Sequence, residues 1–174
     1  MKHLFKVLVG IILLLPTCKV KGQPREIGGI YYDLYSNTNQ ATVANPWTSS
    51  PYNQKPYSGV ITIPSTVEYN DNVYTVTVIG MDAIAYNNNV TAVSIPGTIT
   101  QIKQRAFKRC EKLTSMYIPK SVTHIAGEEE GAFRGCLGLR NMEVDPENSA
   151  YDSRDNCNAI VETESNPKFR NTLV

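Results

Sequence analysis

Residues 90–102 read VTAVSIPGTITQI and residues 113–125 read LTSMYIPKSVTHI, so one pattern occurs twice, starting at Val90 and again at Leu113. An Ala-Phe pair and a cysteine follow both copies, in RAFKRC at 105–110 and GAFRGC at 131–136. Internal repetition is typical of proteins that stack similar units, and it outweighs local secondary-structure propensity. This stretch therefore decides the fold class.

Every unit follows a common plan. A first strand carries apolar residues in the pattern apolar-x-x-apolar-x-apolar, as in Val90, Val93 and Ile95. Proline then ends the strand, because it lacks the N–H group that a sheet ladder needs. A second short strand of the form apolar-Thr-x-Ile follows, and a short helical turn carries the Ala-Phe pair inward. We expect the parallel strands of successive units to stack into a sheet, with the Ala-Phe faces behind it.

An earlier unit begins at residues 58–64. Its first strand lies farther from the next first strand than the usual 23 residues, because the unit contains an insertion. The inserted residues 68–74, EYNDNVY, predict a β-hairpin with an Asn-Asp-Asn tip. A smaller addition at 127–130 lengthens the last step between Ala-Phe pairs. The sequence thus predicts three to four units of about 23 residues each, a period within the range of repeat architectures.

Residues 23–57 have a different composition and predict an N-terminal β-hairpin, with strands at 27–35 and 40–44. Such an element is expected to cap the repeats, since a stack exposes its apolar end unless something covers it. Aromatic residues are frequent at this end, and we interpret them as the cover of the stack. An exposed binding patch is the alternative. These residues are Trp47 and the tyrosines at 31, 32, 35, 52 and 57.

Residues 1–22 are typical of a secretory signal peptide. The chain starts with MKHLFK and continues with an apolar run, 7–15, that Pro16 breaks. This run is too short to span a bilayer, which takes about 20 apolar residues. We expect cleavage after Gly22. The alternative is lipidation at Cys18, which follows an imperfect lipoprotein box and would attach the protein to a membrane.

Charge and residue content exclude several classes of function. Without residues 1–22 the chain has 13 basic and 16 acidic residues, a balance of −3 that argues against nucleic-acid binding. His124 is then the only histidine, with no nucleophile at a matching position, so we predict no catalytic residue, no cofactor and no enzyme activity. The oxygen-rich stretches 128–130 and 152–156 are interpreted as a solvated loop and tight turns rather than calcium sites.

The mature chain keeps three cysteines, of which Cys110 and Cys136 occupy the same position in successive units. They predict a ladder of buried thiols. A disulfide between neighbouring turns remains the alternative, because adjacent strands lie about 4.8 Å apart. Cys157 follows in the terminal segment. The spacing of these cysteines does not fit a zinc site, so no metal is predicted.

Residues 58 to about 163 resemble the BspA-type leucine-rich repeat family of bacterial cell-surface proteins. The motifs that carry the resemblance are IPxx(V/I)TxI and AF(K/R)(R/G)CxxL, and the segment 148–163 is similar too. The resemblance implies a leucine-rich-repeat solenoid, mainly β with short helical turns. The expected organisation is a signal peptide at 1–22, an N-terminal β cap at 23–57, repeats at 58–145 and a turn-rich C-terminal cap at 146–174.

The same resemblance implies an exported protein on the bacterial outer surface or in the periplasm, which binds proteins and adheres to host extracellular matrix or plasma proteins. The outward positions of the first strands are the candidate binding face, since a rigid strand presents an aromatic residue such as Tyr117 at low entropic cost. A solvated face without a ligand, in a non-catalytic assembly scaffold, is the alternative. The candidate residues are Thr62, Ser94, Ser115, Tyr117, Asn141 and Glu143.

Overall fold

The computed structural model describes residues 23–46, 57–127, 130–153 and 161–162. The predicted signal peptide, Cys18, Trp47 and Cys157 lie outside these residues. The described strands are β1 (Arg25–Ile27), β2 (Ile30–Tyr35), β3 (Gln40–Val43), β4 (Gly59–Thr62), β5 (Thr66–Tyr69), β6 (Asn72–Ile79), β7 (Val90–Ser94), β8 (Gln101–Ile102), β9 (Ser115–Ile118), β10 (His124–Ile125), β11 (Asn141–Val144), β12 (Tyr151–Asp152) and β13 (Val161–Glu162).

The first strands of the units form one parallel sheet in the order β11-β9-β7-β4. Equivalent residues of the repeat pair in register, so that Val93 lies opposite Met116 and Met116 lies opposite Met142. Side chains alternate between the two faces of a strand. Along β9 this alternation buries Met116 and Ile118 and exposes Ser115 and Tyr117.

The second strands form another parallel ladder, β6-β8-β10, and the N-terminal strands extend it. β3 pairs with β6 in parallel, whereas β1–β2 and β2–β3 are antiparallel pairs. The predicted strands are present as β2 and β3, but the first begins at Ile30, and β1, which precedes the turn at Gly28 and Gly29, was not predicted. Their parallel attachment to the second strands was not predicted, because pairing between distant segments leaves no local pattern in the sequence.

The insertion in the first unit is a hairpin, as predicted. β5 pairs with β6 in the antiparallel direction, and the last pair, Tyr69 and Asn72, closes a tight loop. Asn70 and Asp71 form that loop with φ angles of 49° and 58°. A type I′ turn requires positive φ at both positions, and Asn and Asp tolerate it better than most residues do.

The segments that carry the Ala-Phe pairs are mostly hydrogen-bonded turns, and 3₁₀ helix occurs among them at Glu130, so the described units have less helix than the predicted short helical turns. Residues in the left-handed region begin and end these turns: Asp82 and Tyr86 in one unit, Arg105 and Arg109 in the next, with φ between 54° and 62°. A left-handed residue interrupts a right-handed helix. The prediction of a mainly β protein is confirmed.

The inward side chains of both sheets and of the turns form one apolar cluster. Ala106 and Phe107 are fully buried, and the Phe107 ring stacks on Phe133 with 5.3 Å between ring centroids. The equivalent residues Ala83 and Ile84 are also buried. The Ala-Phe positions therefore contribute to the core in successive units, as the repeat predicts.

Cys110 and Cys136 are free thiols. Each donates a hydrogen bond to a carbonyl oxygen of the preceding unit, Cys110 to Ile84 at 3.1 Å and Cys136 to Phe107 at 3.0 Å. Asn87 takes this position one unit earlier, where its side-chain amide donates to the same Ile84 oxygen at 2.8 Å. The position therefore carries a hydrogen-bond donor in each unit, and a ladder of thiols, buried at Cys110 and partly buried at Cys136, describes it better than the disulfide does.

Candidate functional site

All six predicted binding residues are exposed, on the outer side of the first-strand sheet. Register places Thr62 opposite Ser94, Ser115 opposite Asn141, and Tyr117 opposite Glu143. The structure thus brings the predicted residues onto one surface. We call this surface the strand face, defined by Thr62, Ser94, Ser115, Tyr117, Asn141 and Glu143.

Tyr117 is the only aromatic residue of the strand face, and its side chain is 46% exposed. Its hydroxyl donates a hydrogen bond of 2.9 Å to the Asp145 carboxylate, which raises the pKa of Tyr117. The pKa of Asp145 is lowered, first by the backbone N–H of Glu147 and then by the Tyr117 hydroxyl. Asp145 therefore fixes the ring while leaving one side of it accessible.

Sequence reasoning missed Asp145, although the repeat contains a signal for it. Asp145 follows the first strand of its unit where Pro96 and Pro119 follow theirs. In this unit a carboxylate replaces the strand-ending proline, and this adds a hydrogen-bond acceptor at the surface. The rest of this edge is polar: Asn141 donates to Glu143 at 2.8 Å, and an exposed ion pair joins Lys120 and Glu147 at 2.6 Å.

A second candidate site lies on the turns between the two sheets. It is an open, polar pocket of about 610 Å³ that extends over three successive units. The Lys108 ammonium group lies 5.8 Å from the centroid of the Tyr86 ring. Sequence reasoning missed this pocket, although the stretch 103–109, KQRAFKR, is strongly basic. The residues that line it are Tyr86, Asn88, Lys108, Arg109, Glu111, Arg134 and Gly135.

Beside this pocket, Arg105 links three units through its guanidinium group. It makes two hydrogen bonds of 2.8 Å to the Asp82 carboxylate and one of 2.6 Å to Glu130. The bonds to Asp82 and then to Glu130 raise the pKa of Arg105, and the bond from Arg105 lowers the pKa of Glu130 below its ordinary value of 4.5. We call Asp82, Arg105 and Glu130 the arginine clamp.

The arginine clamp predicts a stability difference that depends on pH. Because the pKa of Glu130 is lower in the folded protein, its ionised form stabilises the fold above the ordinary pKa, and this contribution is lost as pH falls through the folded pKa. Glu130→Gln is therefore expected to lower the urea midpoint at pH 7, and the gap from the parent should be smaller at pH 3, below the ordinary pKa of a glutamate. Glu147→Gln, in the exposed pair with Lys120, serves as the control and should change the midpoint little. An equal gap at both pH values would contradict the role of the carboxylate.

The titratable groups of the core are poorly suited to catalysis. Burial raises the pKa of the Cys110 thiol to about 12 and that of Cys136 to about 11, so both stay protonated at neutral pH. His124 is exposed on β10. Within the described residues, no group of three or more His, Cys, Asp or Glu side chains is placed to hold a metal ion. The same part of the chain has no helix of the length and apolar character needed to cross a membrane.

Comparisons with known proteins agree with this architecture. A family model described as BspA type leucine rich repeat region matches residues 77–160 in six copies. A leucine-rich repeat protein from Bacteroides ovatus is 29% identical over 71% of this chain, with a TM-score of 0.56. This chain spans only 30% of that protein. No curated protein matches the chain.

Two further solved structures are more distant. A leucine rich cell surface protein from Faecalibacterium prausnitzii is 16% identical, covering 83% of this chain and 59% of its own, with a TM-score of 0.44. A leucine-rich repeat protein from Bacteroides capillosus is 21% identical, covering 70% of this chain and 99% of its own, also with a TM-score of 0.44. The repeated residues, the parallel sheets and the family model agree, so residues 77–160 match the BspA-type leucine-rich repeat family.

Proposed function

We propose that this protein is an exported, non-catalytic module that binds another protein outside the cell through the strand face. The proposal treats residues 1–22 as a signal peptide and residues 58–145 as a solenoid of three to four repeats. Residues 23–57 and 146–174 are its caps. The family match supports a binding role, since stacked repeats present an extended surface to partners. No match indicates an enzyme family.

One observation carries the proposal: Tyr117 is exposed on a rigid strand and held by a hydrogen bond. The parallel ladder on both sides of β9 fixes its backbone, and Asp145 fixes its hydroxyl. A partner would therefore order few additional torsions when it covers the ring, and this lowers the entropic cost of binding. Polar residues surround Tyr117 on its neighbours β7 and β11, as they surround the central anchors of many interfaces.

The family resemblance gives the class of partner, namely host extracellular matrix or plasma proteins. The direct test is a binding screen of the secreted protein against immobilised members of both groups. A saturable interaction supports adhesion. Absence of binding across the panel, with protein shown to be folded and monodisperse, would shift the proposal to a scaffold.

Tyr117→Ala is expected to weaken binding to any ligand found by the screen by about tenfold or more, the range of a central aromatic anchor. Tyr117→Phe keeps the ring but removes the bond to Asp145, so its loss should be smaller. Tyr35→Ala is the matched control, because Tyr35 is 42% exposed but lies on β2, outside the strand face. Surface plasmon resonance on the three variants decides: equal affinity of Tyr117→Ala and the parent would exclude the strand face as the binding surface.

A scaffold that binds its own copies is the second candidate, and the last described unit favours it. Four of its apolar residues are only partly buried, while their counterparts in the preceding unit are buried. A second copy could cover this end. Sedimentation velocity at increasing concentration separates the candidates, since a self-associating scaffold gains mass without a foreign ligand. The partly buried residues are Phe133, Cys136, Leu139 and Met142.

A further inference from the structure

The polar pocket on the turns is independent of the strand face. Its residues come from the turn segments 86–88, 108–111 and 134–135, and the strand face has no residue in common with it. Lys108, Arg109 and Arg134 contribute three positive charges, against one negative charge from Glu111. The pocket therefore attracts anions, although residues 23–174 as a whole have a negative balance.

Arg109 is the residue best placed to receive an anion. It is exposed, and no described residue accepts a hydrogen bond from its guanidinium group. Gly135 makes room for it: a Cβ atom at Gly135 would lie 3.1 Å from Cγ of Arg109. Gly135 also has a φ angle of 76°, which favours glycine there for backbone reasons. The Arg109 side chain thus lies across a glycine surface with its donors available.

Two neutral groups add a different chemistry. The Oδ1 atom of Asn88 is buried and accepts no hydrogen bond in the described structure. This atom has almost no accessible area, so only the remaining part of the Asn88 amide, which lines the pocket, is open to a ligand. Tyr86 adds an aromatic ring and a phenol on the same wall. The Asn88 amide and the Tyr86 ring and phenol thus lie beside guanidinium groups. This combination suits a ligand that has both hydroxyl groups and a negative charge.

We propose that this pocket binds an acidic sugar unit of a polysaccharide, through its sulfate or carboxylate group. Arg109 and Lys108 bind the anionic group with charge-assisted hydrogen bonds, and the pocket-lining amide of Asn88 offers a hydrogen bond to a sugar hydroxyl. The volume of about 610 Å³ is in the range of small-ligand sites. The polar lining does not suit the acyl chains of a lipid.

Isothermal titration of the protein with size-matched oligosaccharides tests the proposal. A heparin hexasaccharide carries sulfate and carboxylate, a hyaluronan hexasaccharide carries carboxylate alone, and maltohexaose is neutral. We expect saturable binding of heparin that weakens as salt increases, and no binding of maltohexaose. Binding of hyaluronan with similar affinity assigns the recognition to carboxylate, and binding of heparin alone assigns it to sulfate. Equal binding of single-stranded DNA, or no binding of either acidic sugar, overturns the proposal.

Matched variants place the interaction in the pocket. Lys108→Gln with Arg109→Gln removes two charges from the pocket and should weaken binding by about tenfold or more, the loss expected for two charge-assisted bonds. Lys112→Gln with Lys120→Gln removes two exposed charges outside the lining and should leave the affinity within about twofold. Glu111→Gln should strengthen binding, a gain that misfolding cannot imitate. Equal losses in both double variants would show that charge alone, and not this pocket, attracts the sugar.

Discussion

Phe107→Ala is expected to lower the free energy of unfolding by about 3–5 kcal/mol, the usual range for removing a buried phenylalanine ring. Phe107 is fully buried, stacks on Phe133 and accepts the Cys136 hydrogen bond through its carbonyl oxygen. Its ring therefore packs between two units, and neither unit can close the resulting cavity alone. Urea denaturation followed by circular dichroism measures the loss.

Leu137→Ala is the control for this change. Leu137 is 80% exposed, so removing its side chain should shift the urea midpoint little. A loss of this size is a large part of a domain's stability, so Phe107→Leu provides a milder variant that should stay folded. Its urea midpoint should lie between those of Phe107→Ala and Leu137→Ala. Similar midpoints for Phe107→Ala and Leu137→Ala would contradict the packing of the Ala-Phe positions in the core.

Gly80→Ala is expected to destabilise the protein by about 1–3 kcal/mol, the usual cost of overpacking. A Cβ atom at Gly80 would lie 2.7 Å from the carbonyl oxygen of Val43 and 3.0 Å from a methyl carbon of Thr42. The Gly80 amide donates a 2.8 Å hydrogen bond to the same Val43 oxygen. The added carbon therefore separates β3 from the end of β6, and the neighbouring backbone has no flexible atom that could yield.

Gly97→Ala adds the same atom where nothing lies within 4 Å, so its stability should stay close to that of the parent. Thermal unfolding of the two variants gives the comparison. Loss of stability in Gly80→Ala should also increase amide exchange in β3, because the strand loses its close contact with the repeats. Identical melting of both variants would show that residues 25–43 are not tightly joined to the second strands.

The sequence was sufficient to predict the strands of the repeats and the residues in them that face the core, but not β1, β12 or β13. A repeat with apolar residues at fixed offsets must bury those residues, and this fixes which side of β7, β9 and β11 faces inward. The exposed positions, including Tyr117, follow from the same alternation. The insertion hairpin was also predictable, because Asn70 and Asp71 form a loop whose chemistry is local.

The contacts between units were not predictable from the same pattern. Asp145 meets Tyr117 only because the two strands pair in register, and the basic residues of the pocket meet only where three turns stack. The left-handed backbone at Asp82 and Arg105 was not predictable either, because neither Asp nor Arg requires a positive φ angle. The parallel pairing of β3 with β6 is likewise set by packing of distant segments.

The arginine clamp has a consequence for how the protein unfolds. In a linear stack, coupling normally extends only between nearest neighbours, and terminal units can open independently. Arg105 bonds backwards to Asp82 and forwards to Glu130, so one side chain adds an ion pair to both interfaces of its unit. Opening either of them leaves part of the guanidinium group without its partner. Fraying of either neighbouring unit is therefore opposed by these bonds as well as by the packing of the core.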